Sequence, residues 1–288
     1  MTNLPATLQG MSEHEMAVVM GVAEDKKAFL PTLRINYQKH REVDGKKVKL
    51  TKGVWTINNG EVDVYGTDLS TIILLASYQV REWDAVKEEY AAETIFFQKG
   101  WDEKCEDTAG GYRCGKLKSK DLKDCQDEDL LAAQRNKKFY RVLWGLATLN
   151  GEDMHGNPAT AENIPFIARI RGQGFMPLCD YIASFSQGQE LFQFVTNWEI
   201  EDGDHATTDF WIPKAVRGEP TKGLADPNVQ EVLPMLLEWR ETHNKEVRDQ
   251  YDKKNGLLTA DDVDAAPSNM KVVDAVVVED DLNDEVPF

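Results

Sequence analysis

Two apolar runs, TIILLASYQVREWD at 71–84 and FYRVLWGLATL at 139–149, constrain this fold most. Both are crowded with β-branched and aromatic residues, which fit a pleated surface and lose rotamer freedom on a helix. Each reads as a buried strand, and ETIFFQKGWD at 93–102 as a shorter one. In NIPFIARIRGQGF (163–175), Ile167, Arg169 and Arg171 alternate onto one strand face, Ala168 and Ile170 onto the other. ELFQFVTNWEIE (190–201) and TTDFWIPKAV (207–216) read as a strand pair around the DGD turn at 202–204. Asp-Gly within VDGKK (43–47) and NNG (58–60) are turn signals between further strand-like runs.

Helical patterns are fewer. KDLKDCQDEDLLAAQRNKKF (120–139) carries Leu122, Leu130 and Leu131 among good helix formers, and MPLCDYIASF (176–185) suits a short helix. The clearest helix spans 226–254. It opens on Asp226-Pro227, an N-cap followed by proline, keeps Val229, Val232, Leu233, Leu236 and Leu237 at helical spacing, and carries Pro234 as a candidate kink. Many short strands with a few inserted helices predict a β-rich α+β fold, a closed or partly open barrel. The strand–helix alternation of a parallel doubly wound sheet is missing.

A chain of 288 residues supports a sizeable core, and no run approaches the ~20 apolar residues of a membrane span. Residues 1–30 read as an N-terminal arm. They carry Glu13, Glu15, Glu24 and Asp25 and lack the layout of a secretory signal, so a cytoplasmic location and no membrane partner are expected. Cys105, Cys114 and Cys125 lie close in sequence, but the spacing fits no tight zinc knuckle. Packed reduced thiols are favoured over a zinc site, with Cys179 a fourth free thiol.

Net charge is −17, unevenly placed. Residues 259–288 hold nine acids and one lysine, a net of −8, which leaves −17 − (−8) = −9 for the other 258. Residues 33–55, LRINYQKHREVDGKKVKLTKGVW, hold seven Lys or Arg against two acids. Phosphate-loop, dinucleotide-binding, zinc-protease and nucleophile-elbow motifs are all missing, so neither a cofactor nor an enzyme is expected. Asp202, Asp204 and His205 in DGDH offer the alternative of a metal-dependent nuclease.

Basic and aromatic residues interleave in three places. They are Arg34, Tyr37, Lys39, Arg41, Lys46, Lys47, Lys49 and Trp55; then Arg113, Lys116, Lys118 and Lys120 after Trp101 and Tyr112; then Lys137, Lys138, Tyr140, Arg141 and Trp144. Arg169 and Arg171 with Phe175 add a fourth. Cations that follow phosphates and rings that stack on bases are what sequence-tolerant binding of single strands needs. One groove lined by these segments is the expectation. A tail of high charge and few aromatics stays disordered and competes weakly with DNA for such a groove.

The chain ends EDDLNDEVPF. Acids followed by a terminal Pro-Phe resemble the C-terminal tips of bacterial and phage single-stranded DNA-binding proteins, here through Glu279, Asp280, Asp281, Asp284, Glu285, Pro287 and Phe288. LPTLRINYQ (30–38), GGYRCGK (110–116) and RVLWGLATLNGEDMHGNP (141–158) resemble segments of the large phage members. The resemblance implies an OB-fold barrel with helical insertions over 31–256 and a disordered partner-binding tail over 257–288. It also implies a role in phage DNA replication and recombination inside the infected host. There the tail would recruit polymerase, primase–helicase or recombination factors.

Overall fold

The computed structural model describes residues 30–43, 46–123, 125–185, 188–203 and 210–257. The N-terminal arm before Leu30, the acidic tail from 258 onward, Asp204 and His205 lie outside the described residues.

The framework is a ribbon of two long antiparallel strands, β5 (Asp63–Asp84) and β7 (Lys137–Glu152). One edge of β5 is used by several partners in turn. β4 (Val54–Asn58) pairs at Asp63–Gly66 and β9 (Phe194–Gly203) at Leu69–Thr71. Phe97 then bridges to Tyr78, and β6 (Glu89–Glu93) pairs at Arg81–Asp84. β8 (Pro158–Ile170) runs along the far edge of β7. β1 (Arg34–Asn36) pairs β4, and β10 (Phe210–Pro220) pairs β9. β2 (His40–Val43) and β3 (Lys46–Lys49) form a separate hairpin. The ribbon is pinched at a bulge where Leu74 is skipped between Ile73↔Gly145 and Leu75↔Trp144. A Cβ on Gly145 would stand 1.9 Å from the Ile72 carbonyl oxygen, so only glycine allows the strands this close.

Of the closed or partly open barrel expected, the closed form is not what these ladders make. The principal order β1-β4-β5-β7-β8 is an antiparallel sheet, with β6, β9 and β10 branching from one side. A single parallel bridge, Thr32 with Ile167, ties the chain ahead of β1 to β8 through Leu33 N–H to Ile167 O at 2.9 Å and Ile167 N–H to Pro31 O at 3.0 Å. With several strands sharing one edge of β5, the ladders branch instead of closing on themselves.

Strand parity sorts the interior into two layers. Leu143, Ala147 and Leu149 of β7 join Trp55, Ile57, Phe166, Ala168 and Ile170 in the larger core. α3 (Phe175–Ala183) closes over it with Leu178. Tyr140, Val142 and Trp144 point the other way, against Leu236 and Trp239 of α4 (Pro227–Lys254). Asp226 caps α4 by accepting from Asn228 N–H at 3.0 Å, and Pro234 lies inside the helix at an exposed position. Asn244 clamps α4 to the irregular 94–97 segment. Its Oδ1 accepts from Phe96 N–H at 2.6 Å and its Nδ2 donates to Phe96 O at 3.2 Å, a side chain standing in for a strand partner.

Two expected elements differ. The single helix over 120–139 is two, α1 (Ser119–Leu122) and α2 (Glu128–Arg135), because Asp127 accepts from Leu130 N–H and caps a fresh start. The strand expected at 93–102 shrinks to the end of β6 and isolated bridges at Thr94 and Phe97.

Candidate nucleic-acid interface

The first predicted segment largely reaches the surface. β1 leads into Tyr37, whose ring lies 5.4 Å from that of Trp211 at the start of β10, tilted by 56°. The Tyr37 hydroxyl donates to Trp211 O at 3.4 Å. Tyr37 is 40% exposed, and Lys52 Nζ stands 5.9 Å over the Trp211 ring. Gly53 makes the packing possible. Its φ is +68°, and a Cβ there would fall 2.3 Å from Trp211 Nε1. Lys39, Lys47 and Lys49 project from the β2–β3 hairpin and Arg34 from β1, all exposed. Lys39, Lys49, Leu50, Thr51 and Lys52 line a shallow hollow of about 460 Å³. Arg41 is engaged in an ion pair with Asp63. The side chain of Lys46 lies outside what is described.

The second and third segments meet at the other end of the β5–β7 ribbon. Asp107 organises the 107–115 loop. It is 1% exposed, and its carboxylate accepts from the N–H groups of Ala109, Gly111 and Cys114 at 3.0, 2.9 and 2.6 Å. This holds Arg113 at φ +57°, with its guanidinium 4.3 Å over the Trp101 ring. Trp101 abuts Phe139 at 5.8 Å, and Phe139 lies parallel to Tyr78 at 5.5 Å and beside Phe175 at 5.2 Å. The Arg141 guanidinium covers the other ring of this group, 4.1 Å over Tyr78. Nε and Nη1 of both arginines lack a hydrogen-bond partner among the described residues.

Lys116 donates from Nζ to Lys137 O at 2.6 Å. Burial, then the charges of Lys138 and Lys137, push its pKa down to about 8. Lys137 is 3.9 Å from Glu82, and Lys138 is half-buried beside it. Lys118 stands 5.8 Å over Trp101 and pairs with Glu103, while Lys120 is exposed.

Several predicted contacts do not line any groove. Trp55 and Trp144 are 0% exposed and Tyr140 6%, all within the cores, because strand parity turns them inward. Arg169 donates from Nε to Gln79 Oε1 at 3.0 Å, in the polar layer beneath α4 that also holds His243, Arg81 and Glu93. Arg171 follows on the same chain, half-buried. The one groove expected from the sequence is therefore two cation–ring patches at opposite ends of β5. Sequence reading passed over Trp211, Lys52, Tyr78 and Phe139. Trp198 is flanked by Asn197 and Glu199 and Trp211 by Phe210 and Ile212, yet it is Trp198 that is buried, with its Nε1 bound to Thr71 Oγ1 at 2.9 Å.

Cys105 and Cys114 pack with Val80, Ala92 and Phe97. Burial pushes the Cys105 thiol up to about 12 and raises that of Cys114 as well. Cys125 stands apart, its Sγ 3.9 Å from Asp127 O. No group of three His, Cys, Asp or Glu side chains is placed to hold a metal among the described residues. Asp202 is exposed on β9, opposite Trp211. No described helix is long and apolar enough to cross a membrane. Comparison with protein-family models, with curated proteins and with solved structures finds no match to this chain.

Proposed function

We propose that this chain is a non-enzymatic protein that coats single-stranded DNA without sequence preference during phage replication and recombination. The observation that carries the reading is the ring pair of exposed Tyr37 and half-buried Trp211, set among Lys39, Lys49 and Lys52. Rings presented to solvent accept any base by stacking, and the lysines meet the phosphates. The patch at Trp101, Arg113 and Lys118 repeats the combination. Local cations suffice for this in a chain of net charge −17, because screening limits the reach of distant acids to about 8 Å.

The acidic tail ending in Pro287-Phe288 recruits replication proteins and competes weakly with DNA for the basic patches. An OB-type strand arrangement with helical insertions is part of the same proposal, supported by the parallel bridge that sets Thr32, ahead of β1, against Ile167 of β8.

Titration with oligo-dT quenches tryptophan emission, with an affinity that falls as salt rises. Preference for duplex DNA, or no binding at low salt, refutes the reading. Removal of residues 259–288 strengthens DNA binding and abolishes capture of replication proteins. Labelled strands stay intact with Mg²⁺ or Mn²⁺; cleavage lost in Asp202→Ala would instead establish the nuclease alternative.

A further inference from the structure

Arg141 presents an unusual account of charge. The residue is 7% exposed, and its Nε and Nη1 are both out of contact with water and without a partner among the described residues. Tyr78 and Cys179 are the titratable groups that act on it, and neither is an anion at neutral pH. Contact with the Tyr78 ring stabilises the cation but consumes none of its N–H groups. A buried guanidinium with no acid against it is costly unless an anion arrives from outside.

The surroundings suit such an anion. Phe175 and Cys179 stand four apart on one face of α3, and Arg141 lies near that face. A tight turn at Gly172–Gly174 runs straight into α3, and Phe175 N–H donates to Gly172 O, so the anion site rests on Arg141 and the rings and not on the helix start. Phe139 and Phe175 complete a wall of rings. Met176, 60% exposed, follows Phe175 in the first turn.

We propose that Arg141 is the seat of a strand-terminal phosphate monoester, held against Tyr78, Phe139 and Phe175 at the start of α3. The proposal rests on the reading of the chain as a single-strand binder. An internal phosphodiester carries a nucleoside on each side, and both would have to pass beneath the rings. A terminal phosphate enters from one side, brings three free oxygens and carries nearly two charges at pH 7. A desolvated cation gains most from a doubly charged partner.

Three oligo-dT probes of one length test this: unphosphorylated, 5′-phosphorylated and 3′-phosphorylated. The wild-type chain binds one of the phosphorylated strands about tenfold tighter than the unphosphorylated one, and Arg141→Met binds all three alike. Arg141→Met is expected to fold, since replacing an unpaired buried charge by an apolar chain of similar length is often neutral or stabilising. Arg141→Lys, which keeps the charge, retains part of the preference. Inorganic phosphate raises the melting temperature of the wild type and leaves that of Arg141→Met unchanged. Equal binding of all three strands by the wild type overturns this proposal and leaves the single-strand reading standing. Failure to bind any of them overturns that reading itself.

Discussion

Lys116 offers a test in which structure fixes both the sign and the size of the effect. Its ammonium is held against the Lys137 carbonyl, largely buried and close to two other lysines. The folded pKa falls from 10.5 to about 8, a difference of about 2.5. At 1.36 kcal/mol per pKa unit, the charged form costs about 3 kcal/mol relative to the unfolded chain. Between about pH 8 and 10.5 the unfolded chain holds a proton that the folded chain has released. Stability therefore rises with pH across that window and carries the full cost below it.

Lys116→Met removes the titration and the hydrogen bond, the latter contributing about 1 kcal/mol. Near pH 7 the variant should be more stable than wild type by about 1–2 kcal/mol. Near pH 10.5 the order should reverse by about 1 kcal/mol. Urea unfolding of the two proteins in parallel, at several pH values, isolates the difference because other titrations cancel. A difference that stays flat from pH 7 to 10.5 refutes the claim that Lys116 is desolvated and crowded. The same charge links to function. A phosphate arriving among Lys116, Lys137 and Lys138 would restore the Lys116 proton, so titration calorimetry near pH 8 should record proton uptake in buffers of different ionisation enthalpy.

The Tyr37–Trp211 ring pair and the buried histidine give two further tests. Trp211→Ala should weaken oligo-dT binding by about 1–3 kcal/mol, roughly 5- to 150-fold, measured at a temperature where circular dichroism shows the variant folded, since Trp211 also packs against the larger core; an unchanged affinity removes Trp211 from the interface. His243 sits between Gln79, Thr94 and Glu93, and burial holds its pKa below 6.5. The unfolded chain therefore takes up this proton first as pH falls below about 6.5, and stability is lost in that window. His243→Gln should flatten the loss between pH 6.5 and 5 in thermal melts, and an unaltered slope would show that His243 carries none of it.

Most of the long strands were legible because each writes its own pattern. Ile167 against Ala168 and Ile170 gave the two faces of β8 correctly, and Asp226-Pro227 marked the start of α4. The sequence could not say what covers each face. Tyr140 and Trp144 share a face of β7 that looks like a basic–aromatic surface in one dimension, with Lys138 and Arg141 close by. It becomes interior only because α4, almost a hundred residues later, brings Leu236 and Trp239 onto it. Arg141 shows the same limit from the opposite face. A strand position flanked by apolar neighbours predicts burial, a lone arginine predicts exposure, and the conflict between them is itself the signal. Where a chain keeps a buried cation that the described residues leave unpaired, the missing counter-charge is better sought in a ligand than in the packing, and Arg141 is the residue at which this chain makes that demand.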